Sequence, residues 1–214
     1  MNHYLYDRQT ISNKIFGFIY GCAMRDAILQ KAFIGEKSWV EGIEEPKSIL
    51  KTYIDKVLNN EFESQENHDE IFLETANDIC KAINNQKPDY ASDVFSFGNA
   101  QKLINITAKH IYSLCYGNSG LRDSFRYCHC PLDSIMLNKV WKMYKECFGN
   151  DARRNKLLSN EFFCQSWGNE GMQENIQPEL LSFPKRYGKF QNAIRDIIGD
   201  NDLYSLEFDY LVWQ

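Results

Sequence analysis

Proline and glycine are scarce: five prolines and twelve glycines in 214 residues leave no room for long linkers. Long apolar runs are missing too. A bilayer-crossing helix needs roughly 20 consecutive apolar residues. The longest candidate here, Ile15 to Met24, is too short and is bracketed by Lys14 and Arg25. The N-terminus, MNHYLYDRQT, lacks the basic-then-apolar layout of a secretory signal. A disulfide framework is also lacking, because the seven cysteines are an odd number and most lie among apolar residues at helical spacing. Reduced, mostly buried thiols and a cytoplasmic protein with no membrane partner are therefore expected. Positive charge is in the minority. With 24 Lys and Arg against 29 Asp and Glu, the net charge is −5, which by itself argues against nucleic acid.

What is present is material for a core. Hydrophobic residues make up 43% of the chain, including 14 Phe and 12 Tyr, so a packed domain rather than disorder is expected. The length suits one domain over residues 1–214, and nothing along the chain justifies a cut. Charge is segregated. Residues 1–95 carry 10 basic and 16 acidic side chains, residues 96–157 carry 10 and 4, and residues 158–214 carry 4 and 9. A basic middle between acidic flanks fits docking of an anionic partner on one face. It equally fits segments of opposite sign pairing with each other in the fold.

Apolar periodicity points to an all-α, compact, multi-helix fold. A first helix is expected from Ser12 to about Ile34, stopped by Gly35. A second opens at Pro46, where a missing N–H costs nothing, and ends at Asn59-Asn60. Residues 60–70 read as a polar, acidic stretch. Further helices are expected over about 69–84, 99–116, 131–148 and 187–198, with a short one at 157–164 and a loop over 167–184. The tail, 203–213, suits a helix better than a strand.

Two helix beginnings stand out. Gly98-Asn99-Ala100-Gln101-Lys102 opens one, and Pro131-Leu132-Asp133-Ser134 opens another. A glycine turn entering a helix exposes backbone N–H groups that bind phosphate. A lysine in the first turn is repelled by the helix dipole. Stability alone does not put Lys102 there, whereas an anionic ligand or a depressed amine pKa explains it.

These segments resemble the helix-hairpin-helix DNA glycosylase superfamily. In that family a glycine-rich hairpin places a lysine at a helix start, and a later helix opens on the catalytic Asp. Gly98 and Lys102 match the hairpin, Asn105 falls where one branch has Asn, and Asp133-Ser134 matches the second motif. The match covers about 45 residues, from the first motif to the second. Ala100 stands where the family has a second glycine, and the iron–sulfur cysteine pattern is absent. The 31 residues from Lys102 to Asp133 imply an insertion at 117–129. The resemblance implies a helix-hairpin-helix element near residues 85–116 and excision of a damaged or modified base flipped out of double-stranded DNA. Asp133 would assist cleavage of the glycosidic bond and Lys102 would serve as nucleophile. Gly98, Asn99, Ala100 and Gln101 would hold a backbone phosphate, and Arg122, Arg126, Lys139 and Lys142 would contact others, with basic segment 96–157 as the DNA face. No cofactor and no metal are implied.

Plainer roles remain open for the same residues. Asp133 and Ser134 suit a helix cap, Lys102 suits an ordinary surface position, and Gln101 and Asn105, one turn apart, suit buried side chains tying a helix to a loop. Cys128-His129-Cys130 invites a metal, but adjacent ligands do not readily converge on one ion and no C-x-x-C partner exists. Arg122 and His129, with six residues between them, match the loose Arg–His spacing of HEPN-type ribonucleases. A non-catalytic helical binding module is the remaining alternative.

Overall fold

The computed structural model describes residues 13–28, 40, 43–90, 94–115, 119–149 and 185–212. Among them all regular structure is helical: α1 (Asn13–Ile28), α2 (Glu45–Leu58), α3 (Gln65–Asn84), α4 (Phe97–Cys115), the short α5 (Ser119–Arg122) running into a 3-10 turn (Asp123–Phe125), α6 (Ser134–Phe148), α7 (Lys185–Ile198) and α8 (Ser205–Val212). The expected end of the first helix near Ile34, the short helix at 157–164 and the loop at 167–184 lie outside the described residues. No described helix is long and apolar enough to cross a membrane.

Each helix buries the stripe its spacing dictates. In α1 the stripe is Phe16, Ile19, Tyr20, Ala23, Met24, Ala27 and Ile28, and it packs chiefly on α4. α2 packs on α3, and α6 on α7. One continuous apolar cluster joins all of these helices, with Phe72, Phe95 and Phe125 wholly inside. Each large side chain so buried contributes about 1.5–3 kcal/mol, which is what holds short helices that water alone would melt.

Three helix starts differ from expectation, and each difference moves a candidate residue. α3 begins at Gln65, a turn before Asp69, because Ser64 adopts extended backbone and its hydroxyl accepts from the Asn67 N–H at 3.2 Å. His68 and Asp69 therefore sit on a helix, with His68 turned fully inward. α4 begins at Phe97 rather than Asn99. The Asn99 carboxamide oxygen accepts from the Ser96 N–H at 3.0 Å and from its hydroxyl at 2.6 Å, while its NH₂ donates to the Ala27 carbonyl at the end of α1, 2.7 Å away. Gly98 thus lies inside the first turn of α4 and makes no left-handed bend; among the described residues positive φ occurs at Asn60 and Gly199. The expected glycine hairpin at Gly98 is corrected accordingly: the segment entering α4 is held by Asn84, whose amide grips both the Phe95 N–H (2.8 Å) and the Phe95 carbonyl (2.9 Å). α6 begins at Ser134, with Pro131 and Leu132 in the non-helical segment before it and Asp133 as its cap.

Candidate active site

Four residues on one face of α4, Lys102, Ile106, Lys109 and His110, have the i, i+4, i+7, i+8 spacing that brings side chains into one row. With Asp26 of α1, Asp209 of α8 and the Pro131-Leu132-Asp133 segment they line a pocket of about 270 Å³. Lys102 and Asp133 therefore face the same hollow, 31 residues apart in sequence. Asp133 Oδ1 accepts from the Met136 N–H at 2.8 Å, so the carboxylate is fixed as the N-cap of α6. Lys109 is ion-paired with Asp209 and lies 4.9 Å from the centre of the Tyr210 ring. Lys102 is half-buried and makes no hydrogen bond or ion pair among the described residues. Burial pushes its amine below the ordinary lysine value, against the stabilising charges of Asp133 and Asp26. Burial and the Lys109 charge lower His110 likewise.

The expected phosphate contacts fare unevenly. Asn99, Ala100 and Gln101 are buried at 4%, 0% and 1% exposure. Their roles as backbone-phosphate contacts are corrected: Asn99 ties α4 to α1, Ala100 is core, and Gln101 donates to the Leu132 carbonyl at 2.8 Å. Gly98 is half-buried in a helical turn. Arg122 is taken up by a two-pronged contact with Glu207 (2.9 and 3.0 Å), a second ion pair with Asp202 and the face of Tyr204. Lys139 donates to the Val212 carbonyl. Arg126 lies over the Tyr127 ring, half-buried, and Lys142 is exposed. Part of the segregated charge is thus consumed internally, since Lys109 and Arg122 of the basic middle pair with Asp209, Glu207 and Asp202 of the acidic end.

A second group of polar side chains lies in the interior and was not foreseen as a group. Gln101 meets Asn105 (3.2 Å), Asn105 donates to the Tyr187 hydroxyl (2.8 Å), and that hydroxyl is 3.0 Å from His129 Nδ1. His129 Nε2 is 2.8 Å from Asp69 Oδ1, and His68 Nδ1 is 3.4 Å from the same oxygen. The Tyr53 hydroxyl closes the chain at His68 Nε2, 2.8 Å away. Burial lowers the His129 pKa to about 4, outweighing the nearby carboxylate, so the ring is neutral. Asp69 is held well below the ordinary carboxylate range: burial alone would raise it, and hydrogen bonds from His129, His68 and Gln65 prevail. His68, Asp69 and His129 are the described residues whose ligand atoms converge enough to hold a metal ion.

The plainer assignment of Gln101 and Asn105, as buried polar residues tying a helix to a loop, is what the structure shows. Of the Cys-His-Cys run, Cys130 contacts the Pro131 carbonyl, Cys128 faces Tyr53 and His129 faces Asp69, so the three side chains do not converge. The Arg122–His129 pairing is likewise corrected. His129 is 0% exposed and bonded to Asp69 and Tyr187, while Arg122 joins α8, so the two do not meet at a solvent-facing cleft. His68 was missed because it lies in the polar stretch before the expected helix start at Asp69, and Asp69 because its partner His129 is distant in sequence; the signal that places both on a helix is the Ser64 cap three residues before Asn67. Protein-family models, curated proteins and solved structures all give no match to the chain.

Proposed function

We propose that the pocket between α4 and the start of α6 is a glycosylase-type site acting on a flipped nucleotide of double-stranded DNA. One observation carries this: a half-buried lysine, with no hydrogen bond or ion pair among the described residues, and a fixed carboxylate face one hollow. A lysine without a partner costs stability, and a lowered amine pKa keeps more of it neutral and nucleophilic. The volume is near the low end of small-molecule pockets, roughly 300–1,000 Å³, which suits a single base and sugar. Asp133 and Asp26 would stabilise positive charge growing on the sugar as the base departs. The neutral Lys102 amine would attack the anomeric carbon as the carbon–base nitrogen bond breaks. The base leaves with the bonding pair and takes a proton, and loss of the amine proton with ring opening gives a Schiff base. Lys142 and Arg126 are the remaining candidates for phosphate contacts.

The test is reductive trapping. The protein is incubated with duplexes carrying uracil, oxidised, alkylated or modified bases, with and without borohydride. The expected result is an abasic product and a covalent protein–DNA adduct that Lys102→Met abolishes. Asp133→Asn should slow excision yet leave the fold intact, because Asn caps a helix as well as Asp does. Absence of abasic product and adduct on every duplex, or an adduct that survives in Lys102→Met, overturns the proposal. A second reading, a non-catalytic helical binding module, is favoured by the internal pairing of the basic middle with the acidic end. It requires DNA binding to be absent or insensitive to salt, whereas phosphate contacts impose a steep salt slope.

A further inference from the structure

We propose that His68, Asp69 and His129 form a binding site for one divalent first-row transition-metal ion, zinc by its donor set. The inference stands on a different cluster from the pocket and does not depend on the glycosylase proposal.

Two imidazoles and one carboxylate, with ligand atoms all within 4.8 Å of one another, converge from two separate parts of the chain. His68 and Asp69 come from the first two turns of α3, and His129 from the non-helical segment before α6. The two rings stand edge to face, 4.8 Å apart at 85°, so that one nitrogen of each is directed at Asp69. The other nitrogen of each ring is held by a phenol: Tyr53 for His68 and Tyr187 for His129. Orientation of a ligating ring through its far nitrogen is the usual outer shell of an imidazole–metal site. For His68 the outer shell is complete. Its Nε2–H can donate to the Tyr53 oxygen, and the Tyr53 hydroxyl in turn has the Cys128 sulfur as acceptor. In that tautomer Nδ1, 3.4 Å from Asp69 Oδ1, would carry the lone pair that an ion takes up.

The surroundings suit an ion with restricted access. Phe62 and Phe72 wall the rings at 4.9 Å from His68 and 4.7 Å from His129. Both histidines are fully buried, while the Asp69 side chain is 23% exposed, so a fourth, water-filled position would open beside Asp69. Mixed imidazole and carboxylate donors suit zinc, cobalt or iron(II) better than magnesium or calcium, which prefer oxygen alone. The nearby Arg195 guanidinium bears on all three ligands. As a like charge it weakens the site without removing a ligand.

The test uses the full chain stripped with chelator and titrated with Co²⁺ and Zn²⁺ against a chromophoric chelator. Binding of one ion per chain is expected, with a cobalt spectrum free of thiolate charge-transfer absorption and a raised melting temperature in excess metal. Asp69→Asn, with helical circular dichroism as the check on folding, should weaken binding by more than about 100-fold, beyond what loss of an outer-shell partner costs. Tyr187→Phe, which removes only the outer-shell hydroxyl from His129, should weaken it by about 10–100-fold. Failure of wild-type protein to bind either ion stoichiometrically overturns the proposal. So does equal affinity in folded Asp69→Asn, or a thiolate band that places the ion on a cysteine.

Discussion

Replacing Gln191 by methionine removes one clamp and little else. The Gln191 side chain is wholly buried, and its amide engages both backbone groups of Cys130: the Cys130 N–H donates to Oε1 at 3.1 Å, and Nε2 donates to the Cys130 carbonyl at 2.8 Å. Cys130 is itself 0% exposed, so water cannot replace either bond. Methionine is close to glutamine in length and volume, so the cavity term stays small. Each buried backbone group left unpaired costs about 1–3 kcal/mol. The two together come to about 2–6 kcal/mol, against a whole-domain stability of about 5–15 kcal/mol. At an m-value of about 2 kcal/mol/M, the urea midpoint should fall by about 1–3 M with m unchanged. Gln191→Glu supplies the internal control. Its buried carboxyl has a raised folded-state pKa, so protonation favours the native state. The stability it gains from that proton is fully present below about pH 4.3, the unfolded value, and is lost as pH rises through the folded value. Its deficit relative to wild type should therefore shrink on acidification, because a protonated carboxyl donates to the Cys130 carbonyl as the amide did. A Gln191→Met midpoint within about 0.3 M of wild type would refute the reasoning, since a shift that small corresponds to less than one buried hydrogen bond.

The Arg122–Glu207 contact makes a pH prediction. Burial raises the Glu207 pKa, but bonds from Arg122, Tyr112 and the Tyr204 N–H outweigh it, and the net shift is downward. A depressed carboxylate contributes stability above its unfolded pKa and loses it as pH falls through the folded value. Arg122→Met should thus cost about 2–4 kcal/mol near pH 7 and progressively less as pH falls through the depressed Glu207 value; urea melts at pH 7 and along the acid limb measure it, and a cost that does not change with pH would refute it. Lys102→Met should leave stability unchanged or raise it by about 0.5–1 kcal/mol, because it replaces a half-buried amine, with no hydrogen bond or ion pair among the described residues, by an apolar side chain. A loss above about 1 kcal/mol in thermal or urea melts would mean that Lys102 is a structural residue.

The apolar stripes of α1, α2, α4 and α6 are local, so period alone locates those helices, to within three residues at their starts. What period does not carry is capping by side chains. The start of α3 depends on one Ser64 hydroxyl, and without it the run Asn60–Glu70 has no apolar face strong enough to show a helix. The start of α4 depends on Asn99 bonding back to Ser96, which turns an apparent glycine bend into a helical turn. The candidate site divides in the same way. In the sequence Lys102 stands out because a cation in an expected first turn conflicts with the dipole, and Asp133 because an acid there agrees with it; with α4 starting at Phe97, Lys102 lies in the second turn, where that conflict is relieved. Asp26 and Asp209, which line the same pocket, come from α1 and α8, and nothing local marks them. His68 and His129 are 61 residues apart, and their meeting is a product of packing that no spacing rule announces.

The residues that fail as phosphate contacts are the ones that set the pocket's geometry. Gln101 is adjacent to Lys102, and Leu132 is adjacent to Asp133. The bond from Gln101 Nε2 to the Leu132 carbonyl, 2.8 Å, therefore links the two backbones one residue away from each candidate group. Gln101 is held in turn by Asn105, Asn105 meets Tyr187, and Tyr187 reaches His129 and so Asp69. A hydrogen-bonded chain thus runs from the pocket wall to the His68–Asp69–His129 cluster, through side chains that are fully buried until Asp69. In an interior of low dielectric such a chain is stiff, because each broken link strands a polar group away from water. The place of Asp133 in the pocket that Lys102 also lines is consequently set by the interior and not by the exposed rim, which is the arrangement the proposed reactive pair would need to hold its geometry without a ligand.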